Sequence, residues 1–145
     1  MSEPLRSPLW RACAEAHLKK QPHCLCCGRE TKEKLNVHHK FPFHYVVACG
    51  RPDLELDERN LFTLCVEHDE EHHLLVGHLD SFESYNPDLE KMLALCRGLT
   101  AAQIRALPEW KRAVEFRPKP LSKMTGQEKG AFHRMLDREL PEVKP

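Results

Sequence analysis

No stretch of this sequence approaches the roughly 18 consecutive apolar residues that a membrane-spanning helix needs, so no such span is expected. No basic segment followed by an apolar run opens the chain, which makes the cytoplasm the expected location. Glycine is scarce, at 6 residues beside 11 prolines, and nothing has the bias of a low-complexity chain. Net charge is missing too, since 22 Lys and Arg balance 22 Asp and Glu. A nucleic-acid binder usually carries a basic footprint, so this balance argues against tight nonspecific affinity for DNA. The balance conceals a pattern: +2 over residues 1–60, −6 over 61–100 and +4 over 101–145. Basic ends therefore flank an acidic middle suited to hosting cations.

What the chain has in excess is 7 cysteines and 10 histidines. An odd cysteine count in a chain with no sign of secretion fits a disulfide framework poorly. Reduced thiols, some of them binding a metal, are the expectation. With 145 residues, 41% hydrophobic and 30% charged, the chain has a one-domain length and a modest core.

Along the chain, Ser7 and Pro8 open a predicted amphipathic helix over residues 8–20, with Leu9, Ala12, Cys13, Ala16 and His17 at helical spacing and Pro22 as the stop. HCLCCGRETKEKLNVHHKF predicts a hairpin: a cysteine-bearing turn ending at Gly28, a charged tip, then a strand from about Leu35 to Lys40. Residues 46–59 read as a loop, NLFTLC as a short strand or buried turn, and HHLLVGHL as part of a helix whose end Gly77 obscures. Asn86 and Pro87 are placed to cap a helix through EKMLALCRG. Two capping boxes, Thr100 with Gln103 and Thr125 with Glu128, predict helices near 101–113 (disturbed by Pro108) and 126–139, with RPKPLSK as linker.

The chemistry concentrates in a few motifs. Cys24 and Cys27 are spaced C-x-x-C with Gly28 directly behind. Two thiolates on one tight turn can share a tetrahedral ion, and glycine permits the positive φ that such a turn often needs. The redox alternative normally opens a helix in a βαβ setting, and that setting is absent. Cys26 points elsewhere in such a turn. Cys65 begins a second ligand pair, completed either by His68 or by His72. His38, His39, His72, His73 and His78 fall within 41 residues, and imidazole suits zinc, nickel and related ions. His38 and His39 are neighbours on a predicted strand, so their side chains face opposite ways and must do different jobs.

In order and spacing, CLCCG, LNVHHKFPF, DERNLFTLC and HHLLVGH resemble the HNH endonucleases, or His-Me finger family, over residues 24 to about 87. The resemblance implies an α+β fold: a small zinc-stapled ββα-metal core with flanking N- and C-terminal helices. It divides the chain into residues 1–22 as an N-terminal helix packing on the core, 23–98 as the nuclease core and 99–145 as a helical basic extension. It implies that His38 ligates a catalytic divalent metal (Mg²⁺, Mn²⁺, Ni²⁺ or Zn²⁺) and that His39 is the general base. Asn60 would hold the loop that orients His39.

Two registers follow for the remaining ligands. One puts Cys65 and His68 on a structural Zn²⁺ with Cys24 and Cys27, and Asp69 and His73 on the catalytic ion. The other, preferred because it explains GHL before SYNP, puts Cys65 and His72 on zinc, and His73 and His78 on the catalytic ion. The implied partner is DNA, or RNA by the same chemistry, with a protein partner supplying specificity and no membrane. Lys40 is the best-placed phosphate contact; Lys32, Lys34, Arg51 and the tail cations Lys111, Arg112, Arg117, Lys119 and Lys123 are weaker candidates. Cys13, Cys49 and Cys96 have no partner spacing. The rival expectation is a noncatalytic zinc module that contacts nucleic acid or a protein partner.

Overall fold

The computed structural model describes residues 6–67 and 71–143. It is a small mixed α+β structure with one two-stranded antiparallel sheet. Helix α1 (Trp10–Lys20) leads through the cysteine turn to strand β1 (Leu35–His39) and helix α2 (Phe43–Ala48). Two single-turn 3₁₀ helices, Pro52–Glu55 and Glu58–Asn60, then lead into strand β2 (Leu61–Cys65). A π-turn over His73–Gly77 precedes helices α3 (Leu89–Cys96), α4 (Ala101–Ala106), α5 (Pro108–Glu115) and α6 (Gly126–Glu139). No helix among the described residues is long and apolar enough to cross a membrane.

Several expectations need correction. Strand β1 does not fold back on the cysteine turn as a local hairpin; it pairs with the distant β2, in the register Leu35↔Cys65 through His39↔Leu61. Part of the expected loop is helical, because Phe43, Tyr45 and Val46 bury one side of α2 after Pro42 sets the entry. The inward edge of α1 is His17, buried, with Trp10, Cys13, Ala14 and Leu18 half-buried, while Leu9, Ala12 and Ala16 are exposed. Leu9 stands ahead of the first helical turn, so the packed face begins one residue later than expected.

Helix α3 begins at Leu89, later than expected, and Asn86 Oδ1 accepts from Asp88 N–H at 3.0 Å just ahead of it. The Asn86 side chain also donates to the Val76 carbonyl at 3.0 Å and its backbone N–H to the Gly77 carbonyl at 3.0 Å. With the Trp110 indole N–H on the Leu75 carbonyl at 2.9 Å, this satisfies three successive π-turn carbonyls. Such groups are costly to bury unpaired. Both capping boxes form in full, and Pro108 divides the expected 101–113 helix into α4 and α5.

Two apolar clusters hold these elements. The first joins Cys24, Leu64, Cys65, Val76, Leu89 and Ile104, so the cysteine turn is part of the core. The second packs Phe132 and Leu136 of α6 beneath Phe41, Tyr45 and Leu54. The expected linker is anchored: Tyr45 Oη donates to the Lys119 carbonyl at 2.6 Å, and Ser84 Oγ to that of Pro118 at 2.6 Å.

Candidate metal centres

The cysteine turn closes through Gly28 N–H on the Cys24 carbonyl at 2.9 Å, with Gly28 at φ 77°, where a Cβ would be strained. Leu25 N–H bonds the Thr63 carbonyl at 3.0 Å, which fixes the turn to β2. Cys65 is the last residue of β2, and His72 stands immediately before the π-turn. These placements bring Cys24, Cys27, Cys65 and His72 together with their donor atoms within 4.8 Å of one another. Cys27 Sγ to Cys65 Sγ is 3.8 Å, and His72 Nδ1 lies 3.8 Å from Cys24 Sγ and 3.1 Å from Cys65 Sγ.

A tetrahedral zinc with Zn–S near 2.3 Å has ligand-to-ligand edges of about 3.8 Å, so the set fits a Cys₃His zinc site. The hydrogen bond between Cys24 and Cys65 splits the pair, bringing the Cys24 thiol down to about 7 and pushing that of Cys65 up to about 11. Cys26 Sγ turns away toward the Cys96 carbonyl at 3.4 Å and joins neither group.

A second group contains only imidazoles. His38, His73 and His78 have ligand nitrogens within 4.8 Å of one another, and their ring centroids lie 4.7 to 5.0 Å apart. The π-turn makes this possible. Residues five apart on an α-helix are turned about 140° from each other, whereas the wider turn closes with His78 N–H on the His73 carbonyl at 3.1 Å. The two rings then stand side by side. Gly77 completes the fit, because a Cβ there would lie 3.0 Å from His38 Cε1 and Nε2.

Both nitrogens of His38 are buried with no hydrogen-bond partner among the described residues. A cation shared with the two neighbouring imidazoles would take the lone pair of one of these nitrogens, leaving the other as an N–H donor. His78 Nδ1–H donates to the Ser84 carbonyl at 2.8 Å, which presents the Nε2 lone pair, the usual support of a metal-ligating histidine. Burial, then the neighbouring imidazoles, holds His38 well below its ordinary range and brings His73 to about 3; burial also lowers His78. Each of these shifts favours the neutral imidazole, the form that metal ligation demands.

His39 faces away from this group, as strand alternation requires. Its Nε2–H donates to the Glu55 carbonyl at 2.8 Å, so the lone pair belongs to Nδ1. Its ring stacks on Trp10 with centroids 4.5 Å apart. Burial lowers it to about 4, with the Glu55 carbonyl acting in the opposite direction, and the ring is a neutral base at pH 7. Asn60 is fully buried; it accepts from Phe41 N–H at 2.8 Å and donates to the Phe41 and Leu54 carbonyls at 3.0 Å each. It thereby fixes the backbone next to Glu55, whose carbonyl orients His39.

His68 and Asp69, the ligands of the alternative register, lie outside the described residues. Lys40 reaches Glu90 at 2.9 Å and lies over the Phe41 ring, so its charge is already matched. Arg51 is buried against Asp53, Asp137 and the Leu140 carbonyl, which corrects its expected place as a phosphate contact and makes it a clasp on α6. Lys32, Lys34, Lys111, Arg112 and Lys123 are exposed; Arg117 donates to the Leu79 carbonyl and Lys119 pairs with Glu128.

Trp10, Glu55 and Ser84 were not anticipated as parts of the site. Glu55 and Ser84 contribute backbone carbonyls, which no side-chain motif advertises. Trp10 lies outside the motif-bearing stretch, and its position at the packed start of α1 was the one available signal.

Fold and site together define an α+β protein with a Cys₃His group and a His₃ group, each able to hold a metal ion. No family model, curated protein or solved structure matches the chain.

Proposed function

We propose that this protein is an HNH-type endonuclease with a ββα-metal core, hydrolysing DNA phosphodiester bonds with His39 as general base. The observation that carries the reading is the division between strand neighbours. His38 joins His73 and His78 in a group able to hold an ion, while His39 is turned away with its proton on Nε2 and its lone pair on Nδ1.

In this reading Cys24, Cys27, Cys65 and His72 hold a structural Zn²⁺ that staples the cysteine turn to β2. His38, His73 and His78 hold a catalytic divalent ion, Mg²⁺, Mn²⁺, Ni²⁺ or Zn²⁺. The chemistry such an ion supplies is neutralisation of the scissile phosphate and stabilisation of the leaving 3′-oxygen. His39 Nδ1 takes a proton from water, and the water oxygen forms the new bond to phosphorus as the P–O3′ bond breaks. The Glu55 carbonyl holds the proton on Nε2 throughout, which keeps the basic nitrogen toward the water. Asn60 holds Leu54, and so Glu55, in place. Lys40 would contact phosphate by exchanging its pairing with Glu90.

The test is plasmid cleavage by His39→Ala. General-base removal costs about 10² to 10⁴ in rate, so cutting should fall by that factor with zinc content and fold unchanged. Undiminished cutting by the pure variant would overturn the assignment. The rival reading, a noncatalytic zinc module contacting nucleic acid or a protein partner, draws on the matched charge of Lys40 and predicts an inert His39.

A further inference from the structure

We infer that Trp10 is a positioning residue for His39, which makes helix α1 part of the hydrolytic machinery; this rests on the nuclease reading above. An imidazole turns about a soft terminal torsion, and a base must be held within about 10–20° of its working direction. One hydrogen bond, from Nε2–H to the Glu55 carbonyl, does not by itself keep the ring seated, because the imidazole can swing off that carbonyl about its terminal torsion and lose its tautomer preference. The Trp10 indole removes that freedom: it lies against the imidazole face with centroids 4.5 Å apart and planes 29° apart.

The way α1 is docked points to the same role. His17 is its one fully buried residue, and Trp10 itself is only half-buried, so an apolar stripe does not hold the helix. Specific polar contacts do. Ser7 N–H donates to the two carboxylate oxygens of Glu55 at 3.3 and 3.1 Å, and Cys13 Sγ donates to the Leu56 carbonyl at 3.5 Å. Lys20 pairs with Glu58 at 3.0 Å. Glu55 is therefore a bracket: its buried side chain fixes the start of α1, which carries Trp10, and its carbonyl fixes His39. Both restraints on the imidazole pass through one residue and the helix it anchors. A plain hydrophobic contact would need none of this alignment, and the flat face of an aromatic ring is the property that matters.

The experiment compares Trp10→Phe and Trp10→Ala with the unsubstituted chain in two readouts. In cleavage of plasmid DNA, Trp10→Ala should lower kcat about 10- to 100-fold, the scale of a misaligned reacting group, with KM within threefold. Trp10→Phe should restore most of the rate. In ¹⁵N spectra of the histidine rings, His39 should be a single Nε2–H tautomer in the unsubstituted chain and in Trp10→Phe, and a mixture in Trp10→Ala. Glu55→Ala, which keeps the carbonyl and removes the anchor for Ser7, should shift the tautomer in the same direction.

An unchanged kcat and tautomer in Trp10→Ala would overturn the inference. So would equal losses in both Trp10 variants with the His39 spectrum unmoved. If the unsubstituted chain cuts no DNA with any divalent ion, the nuclease reading fails, and the tautomer comparison still decides whether Trp10 sets the imidazole.

Discussion

His72 and His73 are neighbours in the chain, yet one faces three thiols and the other faces two imidazoles. The thiol-bearing group is closed: four donors converge from the cysteine turn, the end of β2 and the residue before the π-turn. Such full tetrahedral sets belong to structural zinc. The imidazole group offers three donors, one short of a tetrahedral set, the donor count of sites whose ion also takes water or substrate. The same stretch of backbone thus supplies a thiol-rich group of four donors on one side and an all-imidazole group of three on the other. The comparison teaches that donor count and softness, rather than location, separate the two groups.

The largest way to break the comparison is to strip the metal. Structural zinc contributes on the order of 10 kcal/mol of folding free energy in small domains. Chelation, or Cys24→Ser, should therefore collapse the cooperative thermal transition of the whole chain, because the first apolar cluster contains Cys24 and Cys65. His73→Ala should leave that transition nearly intact. Equal melting behaviour for both variants would show that the two groups do not differ in kind.

A smaller effect comes from Gly77→Ala. The added methyl would meet His38 Cε1 and Nε2 at 3.0 Å, and overpacking of this sort costs about 1–3 kcal/mol. The imidazole group should lose affinity for its ion by tenfold or more while the thiol group retains its zinc. Isothermal titration with the second ion after zinc saturation reads this directly. The smallest expected effect is Thr100→Ala, which removes the solvent-exposed capping box of α4, a helix that contributes no residue to either group. It should cost about 1 kcal/mol in a denaturant melt and change neither metal stoichiometry nor cleavage.

Much of this was legible in the sequence because the informative residues are few and chemically distinctive. Cys24, Cys27 and Cys65 at turn and strand ends, and His38 and His39 as strand neighbours facing opposite ways, are placed as residue type and period predict. The capping boxes of α4 and α6 were equally plain, since both their partners are local in sequence. What escaped was tertiary. The partner of β1 is a strand more than twenty residues away, and nothing within LNVHH names it. The helix α2 is six residues long and is stabilised by burying Phe43, Tyr45 and Val46 rather than by propensity.

The π-turn escaped for a geometric reason. His73 and His78 are five apart, a spacing that matches neither the helical nor the strand period, so their meeting depends on a turn whose carbonyls are satisfied by Asn86 and Trp110. Arg51 and the orienting carbonyls of Glu55 and Ser84 belong to the same class. Their function depends on what packs against them rather than on what they are.

The most direct test of divided labour between the two groups is a cobalt(II) titration of the metal-free chain followed by absorption spectroscopy. The first equivalent should bring thiolate-to-cobalt charge-transfer bands, and a second, weaker equivalent should bind without altering them and vanish in His73→Ala. A chain that takes up only one equivalent, or whose second ion perturbs the thiolate bands, would contradict the account.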